Sequence, residues 1–191
     1  MSLRIPNTEE YDKQIRYSAQ EIDARLTELG RTIDRDHPNG VVLLVYLRAA
    51  ALFGADLLRK ITVPADIDYL AIGRFQMQND ETPLLFLRQD HTVSVYKKDV
   101  LLCTDIVRSG FTMHFLLQQL EAREPSSLEI CAILHNPLQQ LLPLPLGYIG
   151  FETDYSSLCG YGMAYKNAGR QFPDIVQLVQ EKDDLETASE E

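Results

Sequence analysis

Basic residues are scarce in this chain. Lys and Arg number 18 against 28 Asp and Glu in 191 residues, a formal charge of −10. Nucleic acids and anionic membranes both select a basic footprint, so neither is expected as a partner. Cysteine is scarcer still. Cys103, Cys131 and Cys159 are too few and too scattered for a disulfide framework or a zinc cluster. Their apolar or small neighbours predict buried free thiols. No apolar run reaches the roughly 20 residues of a membrane span. Ile5-Pro6-Asn7 interrupts any long apolar start, so no signal peptide is expected. Together these absences predict a protein of a reducing, cytoplasmic compartment.

What is present is ordinary for a globular chain: 45% hydrophobic and 24% charged residues. That balance excludes collagen, coiled-coil and fully disordered classes. The length predicts a single domain over residues 1–180. Residues 181–191 hold six acids and one lysine, a charge of −5 that is half of the total, and are expected to form a solvated, disordered tail.

Ile22, Leu26, Leu29 and Ile33 fall on one helical face, and Ser18 with Glu21 makes a capping-box pattern at its start. Val41–Leu47 is a continuous apolar run suited to a strand buried on both faces. A helix is expected over Ala49–Ile61, stopped by Pro64, and a strand over Asp68–Phe75. Gln76–Thr82 reads as an exposed loop. Leu84–Leu87 and Val93–Tyr96 read as two short strands forming a hairpin. Val100–Cys103 and Leu128–Leu134 are further buried strands, with a helix through Met113, Leu116, Leu117 and Leu120 between them. Leu138–Leu146, with two prolines, predicts an irregular connection, and Tyr148–Phe151 and Ile175–Val179 read as late strands. Strands alternating with helices predict an α/β fold with a mainly parallel sheet.

Ligands of open parallel sheets bind where strands end and loops begin. The candidate loop is Asp105-Ile106-Val107-Arg108-Ser109-Gly110-Phe111-Thr112. A strand–turn–helix joint aims backbone N–H groups at one point, and the helix dipole adds positive charge there. Ser109 and Thr112 supply hydroxyls, and Gly110 allows close approach of an anion. Spacing alone favours a plain structural turn over a phosphate cradle, because Ser, Gly and Thr are common in such joints.

The segment Val100–Thr112 resembles the phosphoribosyl-diphosphate-binding signature of type I phosphoribosyltransferases, closest to the hypoxanthine–guanine branch. Four more segments follow in that branch's order: Tyr46-Leu47-Arg48-Ala49, Ala132-Ile133-Leu134-His135-Asn136-Pro137, Tyr148-Ile149-Gly150-Phe151, and Cys159–Tyr165 followed by Arg170. The resemblance runs from Ser18 to Val179. It implies the type I phosphoribosyltransferase fold, a central mainly parallel sheet flanked by helices, with a small hood from the chain ends. It implies phosphate contacts at Asp105, Arg108, Ser109, Gly110, Phe111 and Thr112. It implies pyrophosphate contacts at Arg48, Ala49 and Arg170, and base contacts at Asn136, Leu158 and Cys159.

The chain departs from the family pattern at several of these positions. One of the two adjacent acids is Thr104. Arg108 replaces the aspartate directed at the purine N7, and a guanidinium cannot accept a proton. Asn136 replaces the lysine that meets the purine oxygen, and Ala164 replaces the aspartate near magnesium. Leu158 stands for the stacking aromatic, and Gly73-Arg74-Phe75 for the Ser-Tyr pair of the closing loop. No metal ligand set is expected, and magnesium is implied only if the protein is active.

Plainer roles exist for each residue. Asp105 suits a helix cap, and Arg108 a solvated ion pair. Arg48 and Arg170 suit ordinary surface arginines. His135 suits a hydrogen-bonded structural histidine more than a general base, and Cys159 suits core packing. His37, His91 and His114 share no metal-ligand spacing with acids or cysteines. Three functions follow from the sequence. The first is a homologue that binds a nucleotide or phosphoribosyl diphosphate but is catalytically impaired. The second is an active transferase for a different nucleobase. The third is a regulatory or scaffolding subunit with a vestigial pocket. The resemblance further implies a homodimer or homotetramer.

Overall fold

The computed structural model describes residues 3–4, 10–75 and 84–180. The expected loop Gln76–Thr82 and the acidic tail 181–191 lie outside the described residues. A six-stranded sheet forms the body. It contains β3 (Val41–Tyr46), β4 (Ala65–Phe75), β5 (Leu84–Gln89), β6 (Asp99–Val107), β7 (Ser127–His135) and β8 (Leu146–Glu152). Their order is β5-β4-β3-β6-β7-β8. All neighbours run parallel except β5, which pairs antiparallel with β4.

Three helices cover the sheet: α1 (Ala19–Asp36), α2 (Ala51–Leu58) and α3 (Phe111–Glu121). The capping box predicted for α1 is formed. The Ser18 hydroxyl accepts from the Glu21 amide, and the Glu21 carboxylate accepts from the Ser18 amide. Alternation along β3 divides the core. Val41, Leu43 and Val45 pack under α1 and α2, with Ile22, Leu26, Phe53 and Leu57. Val42 and Leu44 face α3, with Met113, Leu116, Leu117 and Leu120. Strand β3 is therefore apolar on both faces, as a parallel strand between helix layers must be. All three cysteines are buried free thiols. No helix among the described residues is long and apolar enough to cross a membrane.

A second sheet joins the two ends of the chain, in the order β1 (Leu3–Arg4), β2 (Glu10–Tyr17), β10 (Ile175–Gln180) and β9 (Leu158–Cys159). This is the hood, and its strands are antiparallel.

Several expectations are corrected. The second helix starts at Ala51 rather than Ala49, because the Leu47–Ala50 turn comes first and the Arg48 carbonyl accepts from the Ala51 amide. It ends at Leu58 rather than Ile61. The strand expected over Asp68–Phe75 begins at Ala65. Leu84–Gln89 does form a strand, but its partner is β4 and not Val93–Tyr96. The latter is irregular because the Asp68 carboxylate takes the amides of Thr92 and Val93 at 2.6 and 3.0 Å, which removes them from any ladder.

Candidate functional site

The C-terminal ends of β3, β4 and β6 open into a cleft of about 770 Å³. Tyr46, Leu47, Arg48 and Ala49 line it from the end of β3, Ala71 and Ile72 from β4, and Asp105 from β6. Arg88 and Gln89 close one side from β5, and Arg170 comes from the segment leading into the hood. Another cleft, of about 510 Å³, opens at the opposite end of the sheet among Gly40, Pro64, Lys98 and Ser126. Strand carboxyl ends gather at the first cleft, which is where open parallel sheets bind ligands.

Beside this cleft lies the turn read from the sequence, but it is shorter than expected. Strand β6 runs on to Val107, so Asp105–Val107 are strand residues held in register with β7. The turn proper is Arg108–Gly110, and α3 starts at Phe111. Gly110 has φ 91°, a left-handed conformation that favours glycine. Three carbonyls around the turn are occupied. Val107 accepts from the Asn136 amide, Ser109 from Leu141 and Gly110 from His114. The amides of Ser109, Gly110, Phe111 and Thr112 have no acceptor among the described residues. Used carbonyls and open amides at a helix start are the arrangement that suits an anion.

Asp105 is the sole carboxylate lining the cleft among the described residues. Burial pushes its carboxyl above the usual range. Hydrogen bonds from the amides of Ile106 and Asp105 and from the Thr104 hydroxyl oppose that rise, as does the charge of Arg108. Thr104 itself is buried at 1% exposure and donates to Asp105 Oδ1 at 3.3 Å, so it presents nothing to the cleft. The Tyr46 phenol is held above its ordinary value by burial; Arg74 lowers it and Asp105 raises it. Arg74 and Arg108 therefore both act on the groups at this strand end.

The Arg48–Ala49 turn is braced from the hood side. Arg170 Nη1 donates to the Gly162 carbonyl at 2.6 Å, and the Gly162 amide donates to the Arg170 carbonyl at 3.0 Å. Gly162 has φ 91°, and a Cβ there would fall 2.3 Å from the Ala49 carbonyl oxygen. Only glycine lets these two segments touch. The Leu47–Arg48 peptide is cis.

The predicted base contacts are not brought to the cleft. Leu158 is 4% exposed and packs in the core with Tyr161, Met163 and Ile175, which leaves no ring-facing surface. Cys159 is buried in the hood with Tyr11, Val176 and Leu178, and burial pushes its thiol up to about 11. Asn136 is buried at 1% exposure, and its Oδ1 accepts from the Gln139 amide at 3.2 Å as a turn cap. Phe111 points outward at 57% exposure. The sequence reading missed Arg88. Its only sequence signal is the break in alternation after Leu85 and Leu87, and its place in the cleft depends on sheet register.

The magnesium that the resemblance implies finds a poor donor set. Ala164 offers no oxygen, Thr104 is turned inward, and Asp105 is alone. No three His, Cys, Asp or Glu side chains gather as a metal site among the described residues. Magnesium requires near-octahedral oxygen coordination, which these residues do not fit.

The family model of the phosphoribosyl transferase domain matches residues 13–166. The hypoxanthine phosphoribosyltransferase of Salmonella typhimurium is 33% identical over 162 residues, covering 83% of this chain and 91% of that protein. The hypoxanthine-guanine phosphoribosyltransferase of Mycobacterium tuberculosis is 29% identical over 173 residues, covering 87% and 86%. The crystal structure of a hypoxanthine-guanine phosphoribosyltransferase from Bacillus anthracis superposes with a TM-score of 0.82 at 27% identity, covering 89% of this chain and 99% of that one. The cleft at the strand ends, the open-amide turn and these likenesses agree: the chain belongs to the type I phosphoribosyltransferase family, on its hypoxanthine–guanine branch.

Proposed function

We propose that this protein binds a nucleotide or phosphoribosyl diphosphate in the β3–β6 cleft and is impaired as a hypoxanthine–guanine transferase. The observation that carries the reading is the contrast within one site. The anion-facing groups are open, while the groups that would read a purine are replaced or buried. The terminal phosphate meets the amides of Ser109–Thr112 and the Ser109 and Thr112 hydroxyls. Asp105 accepts from ribose hydroxyls, and Arg48 and Arg170 face the diphosphate.

Transfer needs a purine N7 relieved of its proton and a leaving diphosphate with its charge neutralised. Arg108 cannot take that proton, and its charge disfavours a protonated N7 nearby. Asn136 lacks the charge of a lysine and is engaged by the Gln139 amide. Losing a positioned proton acceptor and a charge partner each costs orders of magnitude in rate. Homodimeric or homotetrameric assembly in the cytoplasm belongs to the same proposal.

Incubation with phosphoribosyl diphosphate, magnesium and hypoxanthine or guanine tests it. No appreciable inosine or guanosine monophosphate is expected, while the nucleotides themselves bind. Turnover near about 10 per second, ordinary for metabolic enzymes, overturns the impairment. Turnover of another base instead favours the active-transferase alternative. Absence of any nucleotide binding favours a scaffolding subunit.

A further inference from the structure

Three arginines, Arg48, Arg88 and Arg170, line one cleft in a protein of formal charge −10. The guanidinium groups of Arg48 and Arg88 make no hydrogen bond or ion pair with any described residue. Arg170 spends one nitrogen on the Gly162 carbonyl. With acids in excess, partners for surface arginines are easy to find, yet these two have none. Like charges gathered around a concave surface repel one another until an anion enters, and the concave shape focuses their field.

Arg88 is delivered to the cleft by an irregularity. Leu87 pairs with Ile72 and Gln89 with Ala71, so Arg88 is an extra residue where the β4–β5 register slips. A bulge of this kind re-aims a side chain and is a built feature of a strand. The opposing carboxylates that a divalent cation needs are missing from the same cleft, where Asp105 is alone.

We propose that Arg88, with Arg48 and Arg170, forms a clamp that holds a diphosphate group without a divalent cation. This rests on the ligand class proposed above and adds the residue and the charge source. A guanidinium presents five N–H donors in a planar fork, matched to phosphate oxygens, and stays protonated throughout the working pH range. Three of them supply the positive charge that a metal would otherwise bring. The ligand selected is one with two adjacent phosphates, in its metal-free form.

Calorimetric titration of the full chain with inorganic pyrophosphate, first in EDTA and then in magnesium chloride, tests the clamp. Pyrophosphate is expected to bind in EDTA, and magnesium is expected not to tighten binding by as much as about tenfold once its binding to free pyrophosphate is subtracted. Arg88→Gln is expected to weaken binding in EDTA by about tenfold or more, and Arg88→Lys to weaken it less, because the charge remains while the fork is lost. Ribose 5-phosphate, which reaches the Ser109–Thr112 turn but carries no diphosphate, is expected to bind the parent and Arg88→Gln equally. Pyrophosphate binding that requires magnesium, or an Arg88→Gln variant with unchanged affinity, overturns the clamp; ribose 5-phosphate binding then leaves the broader reading in place. If neither ligand binds under either condition, both fall.

Discussion

Nε2 of His135 stands 2.6 Å from Oε1 of Gln140. The Gln140 amide nitrogen donates to the Leu142 carbonyl at 2.7 Å, which fixes the amide orientation and makes His135 Nε2 the donor to Oε1. This pair holds the β7–β8 connection against the phosphate turn. In that connection the Leu141 amide donates to the Ser109 carbonyl, and Leu142 and Leu144 pack beside Gly110. His135 is thereby a structural donor, with its ring facing the connection. Gln140→Leu leaves a buried donor without its partner. We expect a loss of about 1–3 kcal/mol in stability by urea denaturation, together with weaker inorganic phosphate binding by calorimetry. Unchanged phosphate affinity in a folded, destabilised variant would mean that the turn is rigid without the brace.

Gly162→Ala drives a methyl group into the Ala49 carbonyl at a positive φ. The expected cost is about 1–3 kcal/mol from strain and overpacking. The same change separates the Arg48–Ala49 turn from the Arg170 segment, so pyrophosphate affinity is expected to fall along with the melting temperature. A variant that loses stability while keeping full pyrophosphate affinity would uncouple the two segments.

Asp68 anchors the chain after β5. Partial burial raises its carboxyl, but hydrogen bonds from the amides of Thr92, Tyr69 and Val93 and from the Thr92 hydroxyl outweigh this and bring it down to about 2. The folded value lies below the ordinary 3.8. The stability it supplies is therefore complete above pH 3.8 and is lost as pH falls through 3.8 towards about 2. Asp68→Asn is expected to be less stable than the parent at neutral pH, with the gap closing across that window in urea titrations. A gap that stays constant with pH would remove the carboxylate as its source.

Restoring the family residues tests whether transfer is dormant. Arg108→Asp with Asn136→Lys and Ala164→Asp is expected to form inosine monophosphate measurably where the parent does not. Asn136→Lys also removes the cap on the Gln139 amide, so about 1 kcal/mol of stability is expected to be lost with it. A folded triple variant with no product would show that activity has been lost beyond these three positions.

The elements that could be read from the sequence are those whose local chemistry and burial agree. Ser18 and Glu21 announce the start of α1, and Val41–Tyr46 is apolar without interruption because helices cover both faces. The phosphate turn is legible because Ser109, Gly110 and Thr112 serve the backbone geometry directly. Strand β2 is not legible in the sequence. Its sequence Glu-Tyr-Asp-Lys-Gln-Ile-Arg-Tyr is mostly polar, since the hood is thin and Ile15 is 59% exposed. Arg88 was missed because the register slip that aims it exists only between two strands. The burial of Leu158 in the core and of Cys159 in the hood is not legible, because nothing local to Leu-Cys specifies it.

The hood also bears on how the chain folds. Arg16 donates to Gln177 across a separation of 161 residues, and β2 pairs with β10 along most of its length. Contacts so distant along the chain require closing a very large loop, whereas β3 joins β4 through α2 and β6 joins β7 through α3, both short helical crossovers. The central sheet is thus expected to gain hydrogen-exchange protection first during refolding, and the hood last. Arg170 and Gly162 lie next to the hood, so the arginine-lined cleft is completed only at the final step. A chain arrested before that step would carry the phosphate turn without its clamp.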